Sequence, residues 1–280
     1  MSRSQSSLPI HIKNRQSISK LRLLKRFLLT LGKAAAPIGL VVAVWWVFCQ
    51  WFKINPALLP SPQDVAHALR EYAMTGALFE DLIWSLRRAA LGLLCGGALG
   101  VIIGTITGRI HTLDWLLSPV FNGLRALPPV AIVPLVVVWA GLGEPAKVFV
   151  TTWAAFFPVW LNTHSGVASV DKLTIWSARA LGASKARLLY AVTLPAALPQ
   201  IVVGFRLAIS TTLICVIVAE MTGAYAGLGY RLQTSYLVFR VDRMLACLLV
   251  LALIGIGSDK LFTATASRIF PWIKLTYTPQ

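Results

Sequence analysis

Long apolar stretches that carry few charges constrain the fold of this chain more than any other feature. We interpret six of them as membrane spans, at residues 35–52, 84–108, 116–139, 147–165, 198–221 and 243–262. A helix needs about 20 predominantly apolar residues to cross a bilayer. Only 13% of the residues are charged, whereas a soluble globular chain carries about 25%. The sequence therefore predicts an all-α integral membrane protein with one transmembrane domain at 35–262.

Basic residues are distributed unevenly over the segments that connect the spans. If the N-terminus is inside, the inner segments hold fifteen Lys and Arg residues and the outer segments hold four. Positive residues accumulate on the cytoplasmic side of a membrane. We therefore expect an inner-membrane protein with a basic cytoplasmic tail at 1–34, a cytoplasmic loop at 166–197 and a cytoplasmic tail at 263–280. The net charge of +16 follows from this topology and does not indicate nucleic acid binding, because the basic residues form no single face.

The second and third spans carry unusual residues. Glycines recur at roughly four-residue spacing in the second span, which is typical of closely packed membrane helices. The third span is interrupted by prolines, among them Pro128 and Pro129. Broken helices are tolerated in a membrane where protein covers them or where they line a cavity. The third span is therefore a candidate wall of a translocation pathway.

Three ionisable residues near or within the spans are further pathway candidates. Arg125 and Arg206 are expected toward the cytoplasmic side, and Glu220 near the outer mouth. An ionisable group in a membrane suggests a functional site. The arginines could create a positive cavity that favours an anion, or they could simply snorkel to the interface. Glu220 could pair with a basic residue or belong to a gate.

The sequence contains no recognisable catalytic motif. It lacks a P-loop, an H-E-x-x-H motif, a G-x-S-x-G motif and paired Cys and His residues at zinc spacing. We therefore predict no catalytic residue, no metal site and no cofactor bound by this chain. The chain is expected to move a solute, and active movement would need energy from another subunit.

The stretch from Trp176 to Pro195 differs from its apolar surroundings. Small and apolar residues alternate there with Arg179, Lys185 and Arg187, and Gly182 interrupts the pattern. This pattern predicts a helix, a bend at glycine and a second amphipathic helix. We interpret the stretch as a cytoplasmic docking element, and the alternative is an ordinary amphipathic loop.

This stretch resembles the cytoplasmic loop signature of ABC importer permeases. That signature is E-A-A, three residues, Gly, nine residues and I-x-L-P. Here Gly182 is followed by nine residues and then by V-T-L-P, which ends at Pro195, and Ala178 matches the third position. Trp176 and Ser177 stand where Glu and Ala are expected, which removes any ion pair of the Glu but keeps the helix–Gly–helix pattern.

The resemblance covers about residues 82–272 and includes phrases typical of the nitrate, sulfonate and taurine branch, at 124–144, 156–167, 194–210 and 218–232. Within the branch, Gly141-Leu-Gly-Glu144 and Asn162-Thr163 look most like the aliphatic sulfonate permeases. The resemblance assigns ATPase coupling to Trp176, Ser177, Ala178, Arg179, Gly182, Ala183, Leu194 and Pro195.

The resemblance also implies an architecture and a set of partners. The chain would be a type I ABC importer permease that forms a homodimer in the lipid bilayer. Two cytoplasmic ATPase subunits would bind the docking loops and use ATP and Mg²⁺. A periplasmic binding protein would deliver the solute. ATP-driven closure of the ATPases would rock the spans between outward-facing and inward-facing states.

Alternatives remain open on the sequence alone. Nitrate, taurine and thiamine-precursor importers share the same general pattern. A different class, an ion-coupled secondary transporter, would use intramembrane acids and inverted repeats. The sequence shows no obvious repeat and few intramembrane acids.

Overall fold

The computed structural model describes residues 36–52 and 55–272, and every regular element in these ranges is helical. The chain divides into two compact units, Met1–Asp64 and Val65–Gln280. The first contains an apolar helix, α1 (Ala36–Phe52). The predicted tail at 1–34 and the end of the predicted tail at 263–280 lie outside the described residues.

Helix α2 (Pro62–Met74) begins with a reciprocal cap. The backbone N–H of Ser61 donates to Asp64 Oδ2 at 2.9 Å, and the backbone N–H of Asp64 donates to Ser61 Oγ at 3.3 Å. Proline at the first helical position loses no hydrogen bond, because that N–H has no partner within a helix. The helix buries Val65, Ala68 and Tyr72 along one face, and Tyr72 packs in a cluster with Leu228 and Cys247 of the same chain.

Three helical segments are long and apolar enough to cross a membrane: α3 (Ala77–Arg109), the run Lys185–Met221 that includes α9 (Leu194–Met221), and α11 (Val241–Ile269). A bent helix pair makes a fourth if the pair is counted as one span. The other two predicted spans coincide with α1 and with the 25-residue helix α6 (Glu144–Ala168). The described residues thus form an all-α membrane protein.

The predicted third span is a sharply bent pair and not one continuous helix. Helix α4 (His111–Arg125) ends before a short 3₁₀ helix, and α5 (Val133–Ala140) follows. The two halves are bent by 84°. Pro128 has an extended backbone with ψ of 123°, because a residue that precedes a proline is excluded from the helical region. The pair Pro128–Pro129 therefore breaks the span at a defined place.

Glycines allow α3 to pack directly on α6. A Cβ at Gly100 would lie 2.8 Å from the Cβ of Val159 and 2.9 Å from the backbone nitrogen of Trp160. Similarly close approaches occur at Gly92, Gly96, Gly104 and Gly108. Such small-residue ridges bring helix backbones together in a membrane, where lipid provides no hydrophobic drive for association. The glycine spacing thus reflects helix packing, as the sequence predicted.

Helices α3 and α9 run antiparallel, since Ser85 near the start of α3 contacts Glu220 at the end of α9. We call this end of the helix bundle the α10 end, after helix α10 (Leu228–Leu237), which follows α9. The opposite end is called the α7 end, after helix α7 (Lys172–Ala180). The two candidate functional regions lie at these opposite ends.

Candidate functional site

The predicted docking segment turns sharply at Gly182, where α7 ends in a Schellman motif. The N–H of Ala183 donates to the carbonyl of Ala178 at 3.0 Å, and the N–H of Gly182 donates to the carbonyl of Arg179 at 2.9 Å. Gly182 has a φ of 79°, and no described atom lies within 4 Å of the place where a Cβ would stand. The left-handed backbone therefore favours glycine here, and crowding within this chain does not.

Helix α8 (Lys185–Leu188) and a π-helical turn connect the bend to α9. The hydroxyl of Thr193 donates to the carbonyl of Leu188, five residues earlier, at 3.1 Å. Leu194 and Pro195 begin α9 directly after the π-helical turn, and Pro195 has no N–H to donate to that turn. The V-T-L-P phrase thus marks the point at which the segment rejoins the long helix.

The segment presents large apolar side chains that are mostly exposed in this chain. Helix α7 buries none of its residues. Large apolar side chains are exposed by 62–89%, namely Leu173, Trp176, Leu181 and Tyr190. Exposed basic side chains surround them, namely Lys172, Arg179, Lys185 and Arg187. An exposed apolar patch with a polar rim is typical of a protein–protein contact.

A buried ionic network occupies the α10 end, and Glu220 is its centre. The Glu220 side chain is fully buried. Its carboxylate accepts hydrogen bonds from Ser85 Oγ at 2.9 Å, from Arg88 Nη1 at 2.7 Å and from the backbone N–H of Gly229 at 2.9 Å. These donors compensate for the loss of water around the charge. Of the two roles considered for Glu220, the structure shows pairing with a basic residue.

Arg88 joins three separate elements in this network. Besides Glu220, it reaches Glu144 at the start of α6 through two hydrogen bonds of 2.8 and 2.6 Å, in the bidentate geometry that arginine favours. It also donates to the carbonyl of Ala226 at 2.7 Å. The guanidinium is 3% exposed, whereas Glu144 is 48% exposed. Arg88 therefore holds α3, α6 and the loop before α10 together.

A second carboxylate, Asp81, fixes the same loop from its other side. Its Oδ1 accepts from the N–H of Gly227 at 2.7 Å. Its Oδ2 accepts from the hydroxyl of Tyr72 at 2.6 Å and from Arg231 Nε at 2.8 Å. Burial, and then the bond to Asp81, raises the pKa of Tyr72 above its usual range. The phenol therefore stays protonated as a donor.

Glycine is needed where the loop crosses Glu220. Gly227 has a φ of 128°, and a Cβ there would stand 2.5 Å from the carboxylate oxygens of Glu220. A Cβ at Gly229 would lie 2.8 Å from the Cβ of Glu220. The G-L-G phrase thus lets backbone N–H groups approach a buried carboxylate closely.

Sequence reasoning did not identify Arg88, Asp81 or Tyr72. A signal was available, because Asp81, Arg87 and Arg88 lie within eight residues at the start of a long apolar helix, and such groups are rare in membrane helices. Nothing in the sequence showed which of them would face Glu220.

Arg206 is paired with an acid that the sequence analysis did not single out. Its Nε and Nη2 donate to the two carboxylate oxygens of Asp259 in α11, at 2.5 and 2.8 Å. The pair has no net charge, and both side chains are more than one-third exposed. Arg206 therefore adds little to a positive field, and its contacts indicate a tie between α9 and α11.

Arg125 lies at the break of the third span. Phe121, one turn before it, packs its ring against Phe156 and Trp160 near the middle of α6. Arg125 is the last residue of α4, one turn beyond these ring contacts and directly before the bend. Its side chain is exposed and makes no hydrogen bond or ion pair within residues 36–52 and 55–272.

The bent span, the docking segment and the antiparallel membrane helices together define a transport permease. Residues 96–271 match the family described as the binding-protein-dependent transport system inner membrane component. The chain belongs to this family, and it is a permease subunit of the ABC importer class.

The sequences of two permease relatives are similar to this chain over most of its length. The taurine transport system permease protein TauC of Escherichia coli (strain K12) is 33% identical over 84% of this chain and 87% of its own length. A protein of Bacillus subtilis (strain 168) that carries the name aliphatic sulfonates transport permease SsuC is 31% identical over 84% and 85%.

The fold also resembles a solved transporter. An inward-facing crystal structure of the MetNI methionine ABC transporter matches with a TM-score of 0.57 and 20% identity, over 70% of this chain and 97% of that chain. This match bears on the fold alone.

Proposed function

We propose that this permease forms, with a second copy of itself, the translocation pathway of an ATP-driven importer for a small anionic solute such as an aliphatic sulfonate. The docking segment, residues 176–195 together with the start of helix α7, is the observation that carries the proposal. It is an exposed apolar and basic surface on a helix–Gly–helix scaffold that its own chain does not cover. A permease that needs an external source of energy requires such a surface for a cytoplasmic ATPase.

The proposal orients the protein in the inner membrane. The α7 end with the docking segment would face the cytoplasm, where two ATPase subunits use ATP and Mg²⁺, and both termini would be cytoplasmic as well. The α10 end would face the binding protein. The excess of basic residues in the segments assigned to the cytoplasm supports this orientation.

A homodimer would cover apolar surface that the single chain exposes. Large side chains on the bent third span are open, including Trp115 by 76%, Val138 by 80% and Trp139 by 72%. Lipid can also cover such residues. The bend itself, however, leaves backbone near mid-depth that needs protein or a cavity beside it.

Arg125 is our candidate for a residue that faces the transported anion. It is an exposed guanidinium at the broken span, and a charged group at this depth needs water or a counter-ion. The names of the two relatives suggest a sulfonate or taurine as the solute. Nitrate and thiamine-precursor transport are the alternatives within the family.

Substitutions at Gly182 test the docking role. Gly182→Asn should retain the left-handed turn, since asparagine tolerates that conformation, whereas Gly182→Ala should strain it by about 1–2 kcal/mol. Gly182→Leu adds bulk as well as strain. We expect ATP-dependent uptake by proteoliposomes to fall in the order Asn, Ala, Leu, with unchanged membrane abundance. Gly76→Leu is the matched control, because Gly76 also has a left-handed backbone, with a φ of 76°, and a Cβ there meets no atom within 4 Å.

Two outcomes would contradict the proposal. Normal ATPase association and coupling in Gly182→Leu would remove the docking role. Uptake driven by an ion gradient without any ATPase would identify a secondary carrier instead.

Arg125→Gln tests the anion-facing role separately. We expect reduced uptake per molecule with normal ATPase assembly, while the double variant Arg206→Gln with Asp259→Asn, which removes a whole ion pair without changing its net charge, keeps uptake per molecule near normal. Equal uptake in the Arg125 variant and the unsubstituted protein would remove Arg125 from the pathway.

A further inference from the structure

A cavity of about 230 Å³ lies at the α10 end, between α2, α10 and α11. Small side chains on the facing helices leave this space open, namely Ala68, Ala246 and Cys247. The buried ionic network around Glu220 does not extend into it. The cavity has no role in the proposed docking or translocation steps.

Two guanidinium groups and one carboxylate line this cavity. Arg231 Nε donates a hydrogen bond to Asp81 Oδ2 at 2.8 Å, and Arg243 Nη2 donates one to Glu71 Oε1 at 2.7 Å. Arg231 also lies against the Tyr72 side chain, whereas the other guanidinium nitrogens of Arg243 have no hydrogen-bond acceptor within the described ranges 36–52 and 55–272. Arg231, Arg243 and Glu71 are 33%, 38% and 42% exposed. The cavity therefore offers free donors for an oxyanion beside an accessible carboxylate for a cation.

The depth of the cavity follows from the length of α11. Its 29 residues span about 43 Å at 1.5 Å per residue, whereas the hydrocarbon core of a bilayer is about 30 Å thick. The ends of α11 therefore extend into the headgroup layers. Arg243 lies in the first turn, and exposed apolar side chains such as Leu248 and Leu249 follow within two turns. The cavity is thus level with lipid headgroups.

We propose that this cavity binds a zwitterion in which a tetrahedral oxyanion and an ammonium group lie a few atoms apart. The oxyanion contacts Arg231 and Arg243, and the ammonium group contacts Glu71. Two sources share this chemistry: the phosphoethanolamine headgroup of a phospholipid in the adjacent leaflet, and a free aminosulfonate. The lipid source is independent of the proposed function, whereas the free aminosulfonate rests on it.

Native mass spectrometry of the full chain, purified in detergent with its complex and stripped of lipid, tests the proposal. Phosphatidylethanolamine, phosphatidylglycerol and taurine are each added alone. Retention of phosphatidylethanolamine at least about tenfold above phosphatidylglycerol supports a lipid zwitterion, and retention of taurine without preference for phosphatidylethanolamine supports the soluble source. Equal retention of the two lipids without taurine binding, or retention of none of the three, overturns the proposal. If the purified protein retains phosphatidylethanolamine but its complex does not transport the anionic solute, the proposed function is contradicted and the lipid site is not.

Three variants locate the bound molecule. Arg243→Gln should reduce retention about tenfold or more, since a hydrogen bond to a charged group is lost. Arg240→Gln is the matched control, because Arg240 also lies near Glu71, at 3.8 Å, but does not line the cavity. Ala246→Leu fills the cavity and keeps every charge, so it tests whether the bound molecule occupies this cavity even if Arg243→Gln does not fold. Equal retention by Ala246→Leu and the unsubstituted protein overturns the assignment.

Discussion

Replacing Arg88 by methionine should destabilise the permease far more than replacing its neighbour Arg87. The two arginines are adjacent in α3, but their environments differ. Arg88 is buried against Glu220, Glu144 and the carbonyl of Ala226. Arg87 is exposed, and its guanidinium lies 5.3 Å from the centre of the Trp84 ring. The comparison therefore separates the ionic network from the general effect of removing an arginine from this helix.

The expected loss in the free energy of unfolding follows from the cost of removing each contact of Arg88. Removing one partner of a buried ion pair costs about 3–5 kcal/mol, and Glu220 keeps only Ser85 and Gly229 as donors. The bonds to Glu144 add less than about 1 kcal/mol, since that carboxylate is half exposed. An unpaired buried carboxylate can instead take up a proton. At pH 7 this costs about 3.7 kcal/mol for a carboxyl of ordinary pKa near 4.3. We expect a total loss of about 4 kcal/mol.

The assay is equilibrium unfolding by SDS in mixed micelles, followed by circular dichroism. Arg87→Met should lose less than about 1 kcal/mol. The double variant Arg88→Met with Glu220→Gln should recover part of the loss, because no uncompensated charge stays buried. Similar losses in the two arginine variants, or no recovery in the double variant, would refute the reasoning.

Further variants probe helix packing, the α9–α11 tie and the contact with α2. Gly100→Ala should cost about 1–3 kcal/mol because its Cβ would overlap the backbone of α6, whereas Gly255→Ala, with no atom within 4 Å, should be neutral or slightly stabilising; unfolding in mixed micelles compares them. Asp259→Asn should cost less than about 1 kcal/mol by the same assay, since its pair with Arg206 is exposed. Tyr72→Phe should cost about 1–2 kcal/mol through lost bonding to Asp81. Because the pKa of Tyr72 is raised on folding, its contribution to the free energy of unfolding is complete below about pH 10 and falls above that pH. The Tyr72→Phe variant should not show this alkaline loss of stability.

The all-α membrane class could be predicted because local chemistry determines it. Apolar runs of span length exclude most soluble folds. The glycine ridge of α3 predicted close packing because only a residue without a side chain allows backbones to touch. The turn at Gly182 was equally local, since a glycine adopts the left-handed conformation that ends a helix in this way without strain.

The bend of the third span was only partly predictable. Pro128 and Pro129 indicated an interruption, but their local restriction does not determine an angle of 84°. That angle is seen only in the folded chain, where Phe121 of α4 also packs against Phe156 of α6.

The sequence by itself determined the apolar spans, the glycine ridge and the turn at Gly182, because each depends on residues that are neighbours along the chain. The tertiary structure alone decided the ion pairs. Glu220 meets Arg88 across 132 residues, and Arg206 meets Asp259 across 53. A charge in a span signals that a partner is needed, but helix packing selects the partner. That is why Arg206 looked like a free positive charge in the sequence and is paired in the folded protein.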